Sequence, residues 1–330
     1  MLYIKKYFLI IIVIIIILLN IIPTPYYLIA PGEAINLSQS IIVENGEKDA
    51  RGKFLLTSTI LLPANLWLCI YSFFDPNIEL ESKGEKIPEG MDQGEYMDIM
   101  TRMMEESQLI SKIVALKKAG YNPELTGKGV IVNRILDNSP AKGKLAPGDV
   151  IIRANDQPVF TIEEFSKSVQ DLETNQFIKI TFLRNNFPYN ITVPLIKLQD
   201  NNYTVEKLGI GIYATTKDLQ CKFPLNVEIN LNKVKGPSAG LMIALEILNQ
   251  LTENDFSSGL VIAGTGNLGI DGKITKVDGI KQKIISAKKQ KADVFIVPKE
   301  NYSEAIRYSK DIKVVPVENF DEAIMKLIKL

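Results

Sequence analysis

The sequence predicts a multidomain α+β protein with an N-terminal transmembrane helix, a β-rich stem region, a small β-barrel or sandwich module and a C-terminal α/β domain. Three observations predict this class: an almost unbroken apolar run at the start, closely spaced short strands in the middle, and strands alternating with amphipathic helices at the end. With 330 residues, 46% of them hydrophobic, the chain has enough apolar side chains for two or three buried cores. The predicted boundaries are 1–25 for a cytoplasmic tip and transmembrane anchor, 26–120 for an extracytoplasmic stem region, 121–200 for the β-rich module and 201–330 for the C-terminal domain.

The apolar run is predicted to be an uncleaved anchor. At about 1.5 Å per residue, Leu2 to Ile22 just crosses a hydrocarbon core of about 30 Å. Lys5 and Lys6 precede the run and no Lys or Arg follows it until Lys48, which predicts a single-pass cell-membrane protein with a cytoplasmic N-terminus and its domains outside. A cleaved signal peptide is the alternative, disfavoured because a proline would follow the small-residue candidate cleavage site near Ala30.

A second uncharged segment, Phe54 to Phe74, is long enough to be another span, which would place the C-terminal domains in the cytoplasm. Pro63 would break a spanning helix, and Asn65 is suited to cap a new one. We therefore expect a β-strand followed by a short buried helix from Asn65.

The β-rich module carries the motif Ser139-Pro140-Ala141, then Leu145, then Gly148-Asp149 before the strand into "ANDQPV". A helix is expected after Thr161, with Glu164 completing a capping box. The module resembles a PDZ domain, a family that binds extended peptides by adding a strand to a sheet edge. The resemblance implies a peptide-binding groove beside that helix and the loop formed by Leu125, Thr126, Gly127, Lys128 and Gly129.

Composition excludes several functions. Thirty-eight basic residues balance thirty-eight acidic ones, so there is no net field to attract nucleic acid. With no histidine and two cysteines, zinc sites built on these residues are excluded, and Cys69 is expected to be a free buried thiol. Gly264–Gly269 matches GxGxxG, but a turn and a strand are expected after it where a dinucleotide site needs a helix. A P-loop is absent from the sequence, and no ATP, metal or other cofactor is expected.

Ser238 lies between small residues in "KGPSAG", directly before a helical pattern, as a nucleophile would be presented. Without histidine a Ser-His-Asp triad is impossible, which leaves a lysine whose pKa, about 10.4 in water, is lowered by burial. The helix N-terminus would stabilise an oxyanion, and Gly236 and Gly240 would let a substrate carbonyl approach. Lys281 and Lys283 flank the apolar face of a later helix, and periodicity does not choose between them.

Three segments, "KGPSAG", "AGTGNLGIDGKITKVDGIKQK" and "ADVFIVPKEN", resemble the proteolytic domain of Lon proteases, which pairs a serine with a lysine. The resemblance implies that Ser238 is the nucleophile and Lys283 the general base. It also implies supporting or oxyanion roles for Thr265, Gly236, Pro237 and Ala239.

Two positions depart from the Lon pattern. Lys235 stands where the ATP-dependent enzymes usually have an acidic residue, and Asp278 replaces the first of two glycines. Like-charge repulsion from Lys235 would favour a neutral Lys283, which is a hypothesis that an unchanged pH–rate profile in Lys235→Gln would overturn.

The order of anchor, stem, PDZ-like module and Lon-like domain resembles the bacterial membrane-anchored PDZ and Lon-like serine proteases, a family that includes competence-peptide-processing surface enzymes. This implies an ATP-independent endopeptidase that acts outside the membrane on peptides or proteins, with the PDZ-like module recruiting or gating substrate. A homo-oligomer is compatible with the resemblance. The alternatives are a non-catalytic PDZ adaptor and a membrane protein quality-control factor.

Overall fold

A computed structural model describes residues 18–48, 51–87, 93–170, 172, 176–198, 207–231 and 234–330. The chain divides into two compact units. The first unit combines the described residues up to Asn122 with Pro224–Leu330, and the second is formed by Pro123–Phe223. The second unit is thus inserted in the sequence of the first.

The elements of the first unit before the insertion are β1 (Pro23–Asn36), α1 (Leu37–Ser40), β2 (Ile41–Val43), β3 (Lys53–Asn65), α2 (Leu66–Ser72), β4 (Glu79–Ser82), α3 (Lys83–Lys86) and α4 (Gln93–Lys118). Those of the second unit are β5 (Glu124–Thr126), β6 (Val130–Ile135), β7 (Val150–Ala154), β8 (Gln157–Pro158), α5 (Ile162–Gln170), β9 (Phe177–Arg184), β10 (Phe187–Pro194), β11 (Ile196–Leu198), β12 (Lys207–Gly209), β13 (Ile212–Thr216) and β14 (Gln220–Lys222).

The first unit resumes with β15 (Val227–Ile229), a 3-10 turn (Pro237–Ala239), α6 (Gly240–Leu251), β16 (Val261–Gly264), β17 (Asn267–Leu268), β18 (Ile274–Thr275), α7 (Ile280–Lys289), β19 (Val294–Pro298), a second 3-10 turn (Lys299–Asn301), α8 (Tyr302–Tyr308), β20 (Lys313–Val317) and α9 (Phe320–Leu327).

One six-stranded sheet organises the first unit, in the order β20-β19-β16-β3-β1-β4. The C-terminal strands β16, β19 and β20 pair in parallel, and β3 pairs in parallel with β16. Strand β1 is antiparallel to β3, and β4 is antiparallel to β1. Strand β16 is covered on both sides, so Ile262 and Ala263 are fully buried, as expected for a central strand. The N-terminal segment, predicted as a separate stem region, therefore supplies half of this sheet.

Strand β3 confirms the interpretation of the second uncharged segment. Phe54, Leu55 and Leu56 are buried in the sheet, and Asn65 caps α2 by accepting a hydrogen bond from Leu68 N at 2.8 Å. The helix that follows is less buried than expected, since Trp67 is 41% exposed and no residue of α2 is buried.

The predicted fold class is wrong in one part, the N-terminal transmembrane helix. Among the described residues, no helix is both long and apolar enough to cross a membrane. Of the predicted span, residues 1–17 lie outside the described part; a helical turn at residues 18–21 is followed by β1 from Pro23. The mixed α/β character and the β-rich module of the predicted class are present.

The second unit is built on a sheet ordered β10-β9-β7-β6-β13, with β8 paired to β7. Its motif residues hold loops together: Ser139 Oγ donates to Ile210 O at 2.6 Å, and buried Asp149 receives two hydrogen bonds from Arg184, at 2.7 and 2.8 Å. Strand β13, predicted within the C-terminal domain, pairs with β6 and so extends this unit beyond residue 200. The capping box is present, since Glu164 accepts from Phe160 N and Thr161 N.

Candidate active site

A tight turn that begins at a glycine presents Ser238 in the first unit. Gly236 has a φ of 88°, a conformation that favours glycine, and it is followed by the 3-10 turn that contains Ser238 and by α6. The Gly236 N–H donates to Met100 O at 2.8 Å, which fixes the entry of the turn against α4. Ser238 is half-buried, so its hydroxyl lies at the edge of the core.

Lys283 reaches the same point from α7. Ile280, Ile284 and Ala287 are each 0% exposed and hold one face of this helix in the core, and Lys283 is itself only 4% exposed. Its Nζ lies 3.0 Å from Ser238 Oγ. The amine is therefore held out of water and within hydrogen-bond reach of the hydroxyl.

Thr265, directly after β16, contacts both the serine and the lysine. It is 0% exposed, and its Oγ1 donates to Ser238 O at 3.0 Å and accepts from Lys283 Nζ at 3.1 Å. Since a threonine hydroxyl carries one hydrogen, the bond to Ser238 O leaves only lone pairs facing Lys283. The next residue, Gly266, also donates its N–H to Ser238 O, at 2.9 Å.

The structure separates the two candidate lysines. Lys281 Nζ pairs with Glu79 Oε1 at 2.9 Å and lies 5.7 Å from the ring centroid of Tyr308, away from the Ser238 hydroxyl. Burial acts to raise the pKa of Glu79, but hydrogen bonds from Gln282 and Lys281 outweigh it and hold the pKa below its ordinary value. Of the two lysines, Lys283 is thus the one beside the serine.

Helix α4 supplies supports that the sequence did not reveal. Ser107 Oγ donates to Pro237 O at 3.0 Å. The Ser111 hydroxyl shares its one hydrogen between Ser107 O at 2.6 Å and Gly240 O at 2.9 Å, so the carbonyls on both sides of Ser238 contact one helix. A Cβ at Gly240 would lie 2.8 Å from Ser107 Oγ, so the close approach depends on glycine. The available signal was the i, i+4 pair of small polar residues in an otherwise long-side-chain helix.

The predicted supporting residues differ in whether they have a backbone N–H group that could donate to an oxyanion. The Gly236 N–H is already bonded to Met100 O, and Pro237 has no N–H, so both support the turn and neither offers a donor to an oxyanion. Ala239 is 1% exposed and lies at the start of the helix, where the first N–H groups have no acceptor within the helix.

The two departures from the Lon pattern lie at the surface. Lys235 is exposed just before the turn, and Asp278 is exposed just before Gly279, the left-handed residue (φ 73°) that starts α7. The effect of Lys235 on the lysine amine stays a hypothesis.

The GxGxxG segment is not a phosphate-binding turn. Asn267 and Leu268 form β17, which pairs antiparallel with β18 in a hairpin, so a strand stands where a dinucleotide site needs a helix. The prediction from the sequence is confirmed here.

The loop Leu125–Gly129 makes backbone hydrogen bonds to other segments of the second unit. Leu125 pairs with Cys221 between β5 and β14, the Lys128 N–H donates to Lys217 O at 2.9 Å, and the Gly129 N–H donates to Phe160 O at 3.2 Å. These two N–H groups therefore have acceptors already, and the loop is not laid out to receive a peptide carboxylate through them. Cys69, expected to be buried, is partly exposed like Cys221, and neither cysteine forms a disulfide in the described part of the chain.

Two family models match the chain. The Lon protease (S16) C-terminal proteolytic domain matches residues 228–329, which include Ser238, Thr265 and Lys283. The PDZ domain matches residues 107–195, beginning within α4. The chain contains a Lon-type proteolytic domain and a PDZ domain.

Curated proteins that match parts of this chain include Lon proteases and a DegP-like protease. The mitochondrial Lon protease homolog of Eremothecium gossypii is 36% identical over 108 residues, covering 32% of this chain and 8% of the relative. The Lon protease of Buchnera aphidicola (Schizaphis graminum) is 31% identical over 98 residues, covering 29% and 12%. A probable periplasmic DegP-like serine endoprotease of Pseudomonas putida is 26% identical over 125 residues, covering 34% and 26%. The matches thus span small parts of these longer relatives.

Among solved structures, the PDZ domain of an SdrC-like protein from Listeria monocytogenes is similar at 24% identity and a TM-score of 0.24, covering 28% of this chain and 92% of that one.

Proposed function

We propose that this protein is an ATP-independent serine endopeptidase in which Ser238 is the nucleophile and Lys283 the general base. The observation that carries the proposal is the part-buried contact of 3.0 Å between Lys283 Nζ and Ser238 Oγ, within a segment that matches a Lon proteolytic domain. Carboxylates are weak bases toward an alcohol, and the sequence contains no histidine, so a lysine is the base available to this serine.

The proposed reaction begins with a neutral Lys283. Burial disfavours an ammonium ion, and Lys283 is 4% exposed, so the uncharged amine has its lone pair available for the Ser238 proton. As the proton moves to Nζ, Ser238 Oγ bonds to the substrate carbonyl carbon. The resulting oxyanion is stabilised by N–H groups at the start of the helix, with Ala239 N–H the candidate from the predicted set.

Collapse of the tetrahedral intermediate breaks the peptide bond. The leaving amine takes the proton from the Lys283 ammonium and departs, leaving an acyl ester on Ser238. Water then attacks the ester while Lys283 accepts its proton, and the second collapse returns the proton to Ser238 Oγ. Thr265 keeps one N–H of Lys283 engaged throughout, which orients the remaining positions of the amine toward the serine.

The PDZ domain is proposed to recruit or gate peptide and protein substrates. Support comes from the order of the chain: α4, which holds the Ser238 turn through Met100 and Ser107, runs to Lys118 just before the inserted unit begins at Pro123. Action outside the cytoplasm stays a prediction from the sequence, as does a homo-oligomer.

The proposal is tested by incubating the full-length protein with casein between pH 7 and 9.5 and following peptide release by mass spectrometry. Wild type is expected to cleave, Ser238→Ala and Lys283→Ala are expected to be inactive, and Lys281→Ala is the matched control that retains activity. Cleavage that survives in Ser238→Ala would overturn the dyad. No cleavage by wild type would favour a non-catalytic PDZ adaptor, although an adaptor has no need of the serine, lysine and threonine cluster.

A further inference from the structure

Thr57 places a buried hydroxyl in the six-stranded sheet of the first unit. It follows the buried run Phe54–Leu56 in β3 and is itself 1% exposed. Its Oγ1 donates at 2.9 Å to the carbonyl oxygen of Gly264, the last residue of β16. Burial of a hydroxyl costs free energy unless the group is hydrogen-bonded, and here the partner is 207 residues away in the chain. Thr57 lies outside residues 228–329, the segment that matches the Lon model.

The carbonyl that Thr57 contacts belongs to the peptide group directly before Thr265. The C=O of Gly264 and the N–H of Thr265 lie in one plane. Thr57 donates to this C=O, and the Thr265 N–H donates to Ile296 O at 3.1 Å. The peptide group after Thr265 is also fixed, since the next residue donates its N–H to Ser238 O at 2.9 Å. Hydrogen bonds therefore hold both peptide groups that flank Thr265, and these groups set the direction of its side chain.

The direction of this side chain determines its contacts with the proposed dyad. Thr265 Oγ1 accepts from Lys283 Nζ at 3.1 Å and donates to Ser238 O at 3.0 Å. Rotation of the peptide group before Thr265 would move Oγ1 relative to both of these atoms. Thr57 is thus connected to the Lys283 amine through one peptide group and one side chain.

The same face of β3 lies against the start of α7. Side chains two residues apart in a strand point to the same side, so Thr59 shares a face with Thr57. A Cβ on Gly279 would lie 2.7 Å from Thr59 Cγ2, so the strand and the residue before the helix are in close contact. The Lys283 N–H in turn donates to Gly279 O at 3.0 Å. Strand β3 therefore contacts the segments that carry both Thr265 and Lys283.

We propose that Thr57 is a positioning residue for the Ser238 and Lys283 pair and that it acts through Thr265. Its hydroxyl holds the Gly264 carbonyl and so keeps Thr265 Oγ1 within hydrogen-bond distance of Lys283 Nζ. The amine is then oriented toward Ser238 Oγ before a substrate binds. The effect on rate rests on the proposed peptidase function, whereas the effect on structure can be measured without catalysis.

A double-mutant cycle in the full-length protein tests whether Thr57 acts through Thr265. Thr57→Val keeps the shape of the side chain and removes the donor, so kcat on one peptide substrate is expected to fall about tenfold with KM nearly unchanged. In a Thr265→Val background the same substitution is expected to lower kcat less than about threefold, because residue 265 no longer bonds to the amine. Thr57→Ser keeps the hydroxyl and is expected to recover most of the rate.

Thr24→Val is the matched control. Thr24 Oγ1 also donates to a backbone carbonyl in the same sheet, Ala64 O at 2.6 Å, but this bond joins β1 to the other end of β3. The control is expected to keep the kcat of wild type. If circular dichroism shows that Thr57→Val does not fold, Thr57→Cys takes its place in the cycle with the same expected results, since a thiol is only a weak donor.

Amide hydrogen exchange tests the structural part without a substrate. The exchange rate is measured by mass spectrometry on the peptide that contains Thr265 and Gly266, whose N–H groups bond to Ile296 O and Ser238 O. Thr57→Val is expected to make these two groups exchange about fivefold faster than in wild type, and Thr24→Val is expected to leave them unchanged.

The results distinguish a failure of this proposal from a failure of the proposed function. An equal fold-loss of kcat from Thr57→Val with and without the Thr265 hydroxyl overturns the positioning role and leaves the peptidase standing. Exchange at residues 265 and 266 that is the same in wild type and Thr57→Val also overturns the positioning role. Faster exchange in Thr57→Val of a protein whose wild type cleaves no peptide supports the hold of Thr57 on Thr265 and overturns the peptidase.

Discussion

Ser238, Lys283 and Thr265 come from three separate segments of the chain and are joined by hydrogen bonds. The Thr265 hydroxyl donates its one hydrogen to the Ser238 carbonyl, so it can only accept a hydrogen bond from the lysine. This makes Thr265 a positioning residue for the amine. The same hydroxyl couples the backbone of the proposed nucleophile, Ser238, to the side chain of the proposed base, Lys283.

Replacing Thr265 by valine keeps the shape of the side chain and removes both bonds. Because hydrogen bonds to charged or strongly polar groups contribute about 1.5–3 kcal/mol, kcat is expected to fall about 10- to 100-fold with little change in KM. Steady-state kinetics on one peptide substrate provides the check. Thr265→Ser restores the hydroxyl and should recover most of the rate; equal loss in the serine and valine variants would contradict a role for the hydroxyl.

At the scale of elements, α4 is the clearest difference between expectation and structure. Its predicted position in a separate stem gave no reason to place it at the site, yet Ser107, Ser111 and Met100 hold the Ser238 turn. Local signals located the elements well: the Asn65 cap, the capping box at Glu164 and the β17–β18 hairpin are present. The Ser107 and Ser111 pair marks small polar side chains on one helix face, but it does not show which segment about 130 residues away they contact.

Ser107→Ala removes the hydrogen bond to the Pro237 carbonyl in a buried contact. We expect a loss of about 1 kcal/mol, equivalent to a Tm lower by about 2–4 °C for a unit of this size. Differential scanning calorimetry of the full chain measures it. Ser168→Ala removes a local, exposed bond within α5 and serves as the control, so equal shifts in the two variants would contradict the support role.

The pairing of Glu79 with Lys281 and Gln282 predicts a pH dependence. Since the folded state lowers the pKa of Glu79, its contribution to stability is present above the unfolded pKa of about 4.3 and is lost as the pH falls through the folded value. Glu79→Gln is therefore expected to be less stable than wild type at pH 7, with the difference shrinking in acid. Urea unfolding at pH 7 and below pH 4 measures it, with exposed Glu253→Gln as control; a difference that grows in acid would contradict the assignment.

At the scale of the whole molecule, the proteolytic unit is larger than the segment that matches the Lon model. The model covers 228–329, whereas the sheet that holds the site also needs β3, β1 and β4 from the N-terminal part of the chain. The spacing of strands and helices in the sequence predicted the two kinds of domain, but it did not predict that the N-terminal strands join the C-terminal sheet. Residues 53–56 pair with residues 261–264 in the sheet, but neither segment has a local sequence feature that identifies the other as its partner strand.

A fragment of residues 201–330 is accordingly expected not to fold. Without β3, strand β16 loses its partner on one side, and without α4 the buried face of α6 is exposed to water. Circular dichroism should show no cooperative unfolding for this fragment and a sharp transition for residues 18–330, which retain every described element. Cooperative unfolding of the shorter fragment would contradict the shared sheet.

The central claim, that Lys283 activates Ser238, is tested most directly by acylation of the full-length protein with p-nitrophenyl acetate. Samples are quenched in acid at successive times, and the peptide that carries Ser238 is quantified by mass spectrometry, so no natural substrate is required. The account predicts an acetyl group on Ser238 that accumulates faster as Lys283 loses its proton, and acylation at least about 100-fold slower in Lys283→Met but not in Lys281→Met. Acylation of Ser238 at the same rate in Lys283→Met, or none at Ser238 in wild type, would contradict it.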